Sequence, residues 1–146
     1  MQGSDLRTKK EQLLLFLSWF VAAMATGGSL FFSEVMGFPP CILCWYQRIC
    51  MYPMVLILGA AFLNEDRAYF RYSFPLIITG LIIAIYHNLL YYNLIPESSA
   101  PCREGISCTT VFFEWLGILT IPLLSLIAFG ILSILLIYLR KNYNEK

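Results

Sequence analysis

Charge is scarce in this sequence. Of its 146 residues only 13% are Asp, Glu, Lys or Arg, about half the share in ordinary soluble domains, which run near 25%. The formal net charge is +1 and no basic block is present, which argues against a nucleic-acid binder, whose affinity is built on clustered Lys and Arg. Histidine occurs once. No Gly-x-Gly-x-x-Gly follows a strand-like run, so nothing suggests a flavin or nicotinamide site. What fills the space is apolar: 59% hydrophobic residues and a mean hydropathy of +0.70. A soluble globule of this size has too little interior to hide that much apolar surface. The composition reads as a membrane protein.

Leu13 to Phe32 is an unbroken stretch without an ionisable group, matching the roughly 20 residues a helix needs to cross about 30 Å of hydrocarbon. Ile49 to Leu63 is too short alone but long enough if it begins near Cys41 and carries Gln47 and Arg48 inside. Phe74 to Leu94 contains no Asp, Glu, Lys or Arg and holds the one His, His87, and Trp115 to Leu139 contains Pro122, a candidate kink. The expectation is an all-α membrane protein: one four-transmembrane-helix bundle with spans at about 13–32, 41–63, 74–94 and 113–139 and connections at about 33–40 and 96–112. A cleaved leader ending at Ala23-Met24-Ala25 is the alternative for the first span. The apolar run continues past it through Phe32, which favours an uncleaved helix.

Lys and Arg at the span ends set the orientation. Arg7, Lys9, Lys10, Arg67, Arg71, Arg140, Lys141 and Lys146 fall on one side, and only Arg103 falls on the other. Both termini are therefore expected in the cytoplasm, with the first and third connections outside.

That orientation gives the cysteines a compartment. Cys41 and Cys44, and Cys102 and Cys108, form two close pairs at the outward side, where no glutathione or thioredoxin system keeps thiols reduced. As structural staples they return little: by loop entropy about 2.4 kcal/mol for Cys102–Cys108 and about 1.9 for Cys41–Cys44. A zinc site would need four ligands at fixed geometry, and Cys-x5-Cys is an unusual zinc spacing. Redox chemistry is the preferred reading, with no resident metal. Pro39-Pro40 places Cys41 and Cys44 at the opening of a helix, where free N–H groups and the macrodipole favour thiolate. Arg48 lies one turn beyond Cys44 on the same face, positioned to favour a Cys44 thiolate or to hold an anionic oxygen beside it. An arginine inside a span marks a function by default, with snorkelling as the plain alternative. Cys50 projects elsewhere and reads as a small hydrophobe. His87 and Asn88 are either ligands of a polar headgroup or a packed polar pair.

Pro-Cys-Ile-Leu-Cys-Trp-Tyr-Gln-Arg at 40–48, a second cysteine pair, and a last span opening Phe-Glu-Trp-Leu-Gly together resemble the DsbB/BdbC disulfide-bond formation proteins. The short Cys-x5-Cys loop is most similar to the compact Gram-positive BdbC type. The resemblance implies a thiol:quinone oxidoreductase in a bacterial cell membrane, using menaquinone or ubiquinone. It also implies an exported thioredoxin-fold thiol oxidase (DsbA/BdbD-like) as partner. Carried over by position, Cys102 accepts the partner's thiolate, Cys108 exchanges with Cys41, Cys44 is freed beside the quinone, and Arg48 stabilises negative charge there; His87, from its place in the third span, is a further candidate quinone ligand. Two readings stand against this. One is a quinone reductase of the vitamin K epoxide reductase type, whose Cys-x-x-Cys comes late in the chain. The other is a non-catalytic membrane protein with stapled outer loops.

Overall fold

The computed structural model describes residues 9–64, 68–96, 114–115 and 119–144. Four long helices carry the fold: α1 (Lys9–Leu30), α2 (Ile42–Asn64), α3 (Tyr69–Tyr91) and α4 (Ile121–Asn144). Each is long and apolar enough to cross a membrane, as the hydropathy pattern requires. Before α4, Glu114–Trp115 (β1) pairs antiparallel with Leu119–Thr120 (β2). Neighbours in sequence are neighbours in space: α1 packs on α2, α2 on α3, α3 on α4, and α4 closes the ring against α1. This is the arrangement expected of antiparallel helices joined by short connections.

The ends of the elements follow local chemistry. α1 runs on into a π-helical turn, Phe31–Val35, and the chain then reverses at Gly37, whose φ of 68° is the left-handed region glycine tolerates. Pro39-Pro40 holds the approach extended and α2 starts immediately after Cys41. α3 stops at Tyr91 instead of Leu94, because Asn93 adopts a left-handed φ of 56° and Leu94 N–H bonds back to Leu89 O, a helix-ending turn that asparagine supports. The last helix begins at Ile121, later than the expected residue 113. Pro122 lies in its first turn, where the missing N–H is harmless, so it starts the helix and does not kink it.

The main core joins all four helices through Leu15, Met54, Leu58, Ile77, Phe129 and Leu132. Gly80 lets α3 and α4 approach closely: a Cβ there would land on the Phe129 ring. Small residues at such crossings are how helices pack where lipid removes the usual hydrophobic drive. Ser18, Ser73 and Ser133 are buried in the same seams and satisfy their hydroxyls on the carbonyls of Leu14, Tyr69 and Phe129, one turn back. The outer surface is apolar, with Leu56 75% and Leu63 79% exposed, a face suited to acyl chains and not to water.

Candidate functional site

The site is built at the head of α2. Cys41 is the residue before the first helical residue, so it takes the N-cap position. Its carbonyl accepts the Trp45 N–H at 3.1 Å, and its sulfur accepts the Cys44 N–H at 3.4 Å, where an N-cap oxygen would ordinarily sit. The two sulfurs lie 3.1 Å apart, hydrogen-bonded and unbonded covalently. They need only about 1 Å of approach to reach the roughly 2.05 Å of a disulfide. The His87 Nε2 stands 3.8 Å from the Cys41 sulfur, and the His87 Nδ1 is 3.4 Å from the Gln47 side-chain nitrogen.

This environment favours negative charge on Cys41 in the reduced pair. The Cys41 thiol, one residue outside the span, is pulled down to about 4. The hydrogen bond with the Cys44 thiol is the leading cause; burial opposes it, and His87 and the Cys44 N–H add to it. On sequence grounds the helix opening favoured thiolate at either cysteine, and Arg48 favoured it at Cys44 or held an anionic oxygen beside it. The Cys44 N–H and the His87 imidazole both approach the Cys41 sulfur, which favours that sulfur as the thiolate.

Arg48 is anchored from α1. Its Nε donates to Ser29 Oγ and its Nη2 to Ser29 O, both at 2.9 Å, and its guanidinium lies 5.4 Å from the Trp45 ring centroid. The π turn begins two residues after Ser29, so the carbonyl Arg48 takes lies where the α-helical ladder is about to widen. An intramembrane arginine is costly without such partners; here it is held and not merely snorkelling.

Arg48 and Cys44 share a cleft of about 400 Å³ between α1, α2 and α4. Its walls are mainly apolar, with Phe20, Met24, Met51, Leu124 and Phe129 among them, and its polar groups are few: Ser29, Cys44, Gln47, Arg48, Tyr52 and Ser125. Such a lining suits a largely apolar ligand oriented by a few polar contacts. Cys41 and His87 are not among the lining residues. The pair is thus two-faced: Cys44 looks into the cleft, and Cys41 looks away from it toward His87. His87 and Asn88, joined as one pair on sequence grounds, part company. Asn88 donates to Ala84 O and to Pro122 O at 2.9 Å, clamping α3 to the start of α4.

Cys50 is 5% exposed and belongs to the main core, separate from the small cluster around Cys41. Cys102 and Cys108 lie outside the described residues. Sequence reasoning missed Ser29, Gln47 as a partner of His87, and Tyr52, whose buried hydroxyl has no hydrogen-bond partner among the described residues. Tyr52 was within reach, since Cys44, Arg48 and Tyr52 recur every fourth residue on one helix face. Ser29 carried no such signal.

The family model of the Disulfide bond formation protein DsbB matches residues 11–139 of the chain. "Disulfide bond formation protein C" of Bacillus subtilis (strain 168) is 43% identical over 139 residues, covering 94% of this chain and 99% of the relative. A "Probable disulfide formation protein" of Metapseudomonas resinovorans is 43% identical, covering 88% and 90%. A "Probable disulfide formation protein C 1" of Bacillus anthracis is 40% identical, covering 93% and 98%. No solved structure matches significantly.

Proposed function

Since the chain belongs to the DsbB family of disulfide bond formation proteins, and is thus a multi-pass membrane protein acting in disulfide formation, we propose that it oxidises an exported thioredoxin-fold thiol oxidase and passes the electrons to a membrane quinone. The observation that carries the reading is the division of the first cysteine pair: Cys44 and Arg48 line one apolar cleft, while Cys41 faces away from it.

The reaction sequence starts at the second pair. The partner's thiolate attacks a Cys102–Cys108 disulfide at Cys102, and Cys108 leaves as a thiolate. The partner's second thiolate releases the partner as a disulfide, so two electrons now reside on Cys102 and Cys108. Cys108 then attacks a Cys41–Cys44 disulfide at Cys41, displacing Cys44, and Cys102 completes the exchange. Each step exchanges one S–S bond for another. After that exchange the first pair is the dithiol, its charge on Cys41, with the Cys44 sulfur at the cleft.

A cleft of about 400 Å³ with mainly apolar walls and a few polar groups suits a quinone in size and polarity. A bound quinone supplies a two-electron, two-proton sink. Arg48, fixed by Ser29, places a permanent cation beside the Cys44 sulfur and any anionic oxygen next to it. The apolar walls exclude water, which strengthens that interaction. In this reading both termini are cytoplasmic and both cysteine pairs face outward. A membrane-impermeant thiol reagent applied to intact, reduced cells then labels Cys102 or Cys108 without lysis.

The decisive experiment mixes purified protein, a reduced thioredoxin-fold oxidase and a quinone, and follows partner oxidation and quinol formation together. The reading expects one quinol per partner disulfide, lost in Cys44→Ala. Partner oxidation without quinol, or none at all by folded protein, refutes it.

A further inference from the structure

The head of α2 presents a donor set that thiol exchange does not by itself require. The Cys41 and Cys44 sulfurs and a His87 ring nitrogen all lie within 4.8 Å of one another. In a tetrahedral zinc site, with Zn–S near 2.3 Å and Zn–N near 2.0–2.1 Å, neighbouring donors stand roughly 3.8 Å apart for two sulfurs and roughly 3.6 Å for sulfur and nitrogen. The observed separations are 3.1 Å between the sulfurs and 3.8 Å from Cys41 Sγ to His87 Nε2. The third separation, Cys44 Sγ to the His87 nitrogen, is within 4.8 Å, so side-chain movements of up to about 1 Å bring the three donors to tetrahedral spacing.

Three further features favour a metal there. The Gln47 side-chain amide lies 3.4 Å from Nδ1 of His87; turned so that its carbonyl oxygen accepts from Nδ1–H, it leaves Nε2 unprotonated toward the sulfurs. An outer hydrogen bond on the second ring nitrogen is the usual way a ligating imidazole is oriented. Cys41 and His87 are 6% and 2% exposed, and in so dry a place two thiolates with one divalent cation make a neutral unit, easier to bury than an uncompensated dithiolate. Finally, Cys44 borders the cleft, so a fourth coordination position opens toward it.

We propose that the reduced Cys41–Cys44 pair and His87 form a three-donor zinc site that exists only in the dithiol state. It differs from the four-cysteine zinc site weighed on sequence grounds, because it draws on α3 and needs neither Cys102 nor Cys108. Binding joins Zn2+ to two thiolates and a neutral imidazole and releases whatever protons the two thiols still carry. A disulfide has no anionic sulfur to offer, so oxidation of the pair ejects the ion. The linkage is reciprocal: zinc at about ten times its dissociation constant makes the pair about tenfold harder to oxidise, a shift of about 30 mV. Zinc outside the cytoplasm thereby becomes an inhibitor that captures the enzyme in its reduced state.

The test uses the full chain in detergent, carrying Cys50→Ala, Cys102→Ala and Cys108→Ala so that one pair remains, reduced with a phosphine. Zn2+ is titrated by equilibrium dialysis with metal analysis and proton-release measurement, and Co2+ serves as a spectroscopic stand-in. Expected are one zinc per chain when reduced, none after the pair is oxidised, loss of binding in Cys44→Ser, and at least tenfold weaker binding in His87→Ala. The Co2+ complex should show tetrahedral absorption with sulfur-to-metal charge transfer, altered in His87→Ala. Helical circular dichroism establishes that each variant is folded. Equal binding by the oxidised chain, no binding by the reduced one, or affinity unchanged in His87→Ala overturns the site. Neither quinone nor partner is present, so failure here leaves the proposed oxidase reaction standing.

Discussion

Replacing Arg48 by Met tests how the cleft treats developing negative charge. Met keeps length and apolar bulk but removes the cation and both 2.9 Å bonds to Ser29. Arg48 lies four residues from Cys44, a rise of about 6 Å along the helix. A unit cation and anion at that distance interact by about 2.8 kcal/mol at an effective dielectric of about 20, which is about a hundredfold in rate. That agrees with the hundred- to thousandfold loss typical when one preorganised charge-stabilising donor is removed. Arg48→Lys keeps the charge but not the fork that reaches both Ser29 oxygens, and should fall between the two. Ser29→Ala leaves the charge and the carbonyl contact and should cost about tenfold or less, since one charge-assisted bond is worth about 1.5–3 kcal/mol and only part of it is positioning. The assay is two rates per variant: partner oxidation in a single turnover without quinone, and steady-state quinol production. Only the second should fall in Arg48→Met, because the first is chemistry of the Cys102–Cys108 loop. Folded Arg48→Met protein with both rates near wild type would falsify the role assigned to Arg48.

Three further outcomes are expected. Alkylation of Cys41 in the reduced protein should rise with pH around a midpoint near 4 and stay flat from pH 6 to 8; since the thiolate is the reactive form, a midpoint near 8 would show that Cys44 and His87 do not hold the charge there. Cys50→Ala should leave turnover near wild type and cost about 1 kcal/mol of stability, as a small buried side chain away from the Cys41 cluster; an inactive but folded variant would contradict the four-cysteine assignment. Gly80→Ala should lower the thermal midpoint in detergent, because about 1–3 kcal/mol of overpacking against Phe129 exceeds the roughly 1 kcal/mol gained in helix propensity. A midpoint at or above wild type would mean that the α3–α4 contact is looser than described.

Four helices and the place of the Cys-x-x-Cys were legible in the sequence, because both rest on local rules. Span length is set by bilayer thickness, and prolines, excluded from helix interiors but favoured at helix starts, mark where the second helix opens. The i, i+4 relation of Cys44 and Arg48 is likewise a property of one helix, so both could be placed on one face before any tertiary contact was known. The start of α4 was harder. Apolar character runs without a break from Trp115, and only the β1–β2 pairing with Pro122 behind it puts the first turn at Ile121.

The charge on the first pair was decided by tertiary structure. Nothing in one dimension tells that His87, 46 residues away, turns its Nε2 to Cys41 while its neighbour Asn88 reaches for Pro122 on another helix. The same is true of Ser29, an unremarked serine in an apolar span that becomes the anchor of Arg48 only because α1 packs beside α2. Electrostatic preference at a thiol depends on distances of 3–4 Å between groups far apart in the chain. The helix N-terminus made a thiolate at this pair readable from sequence, while the packing of α3 brings His87 to Cys41 and that of α1 and α4 forms the cleft at Cys44.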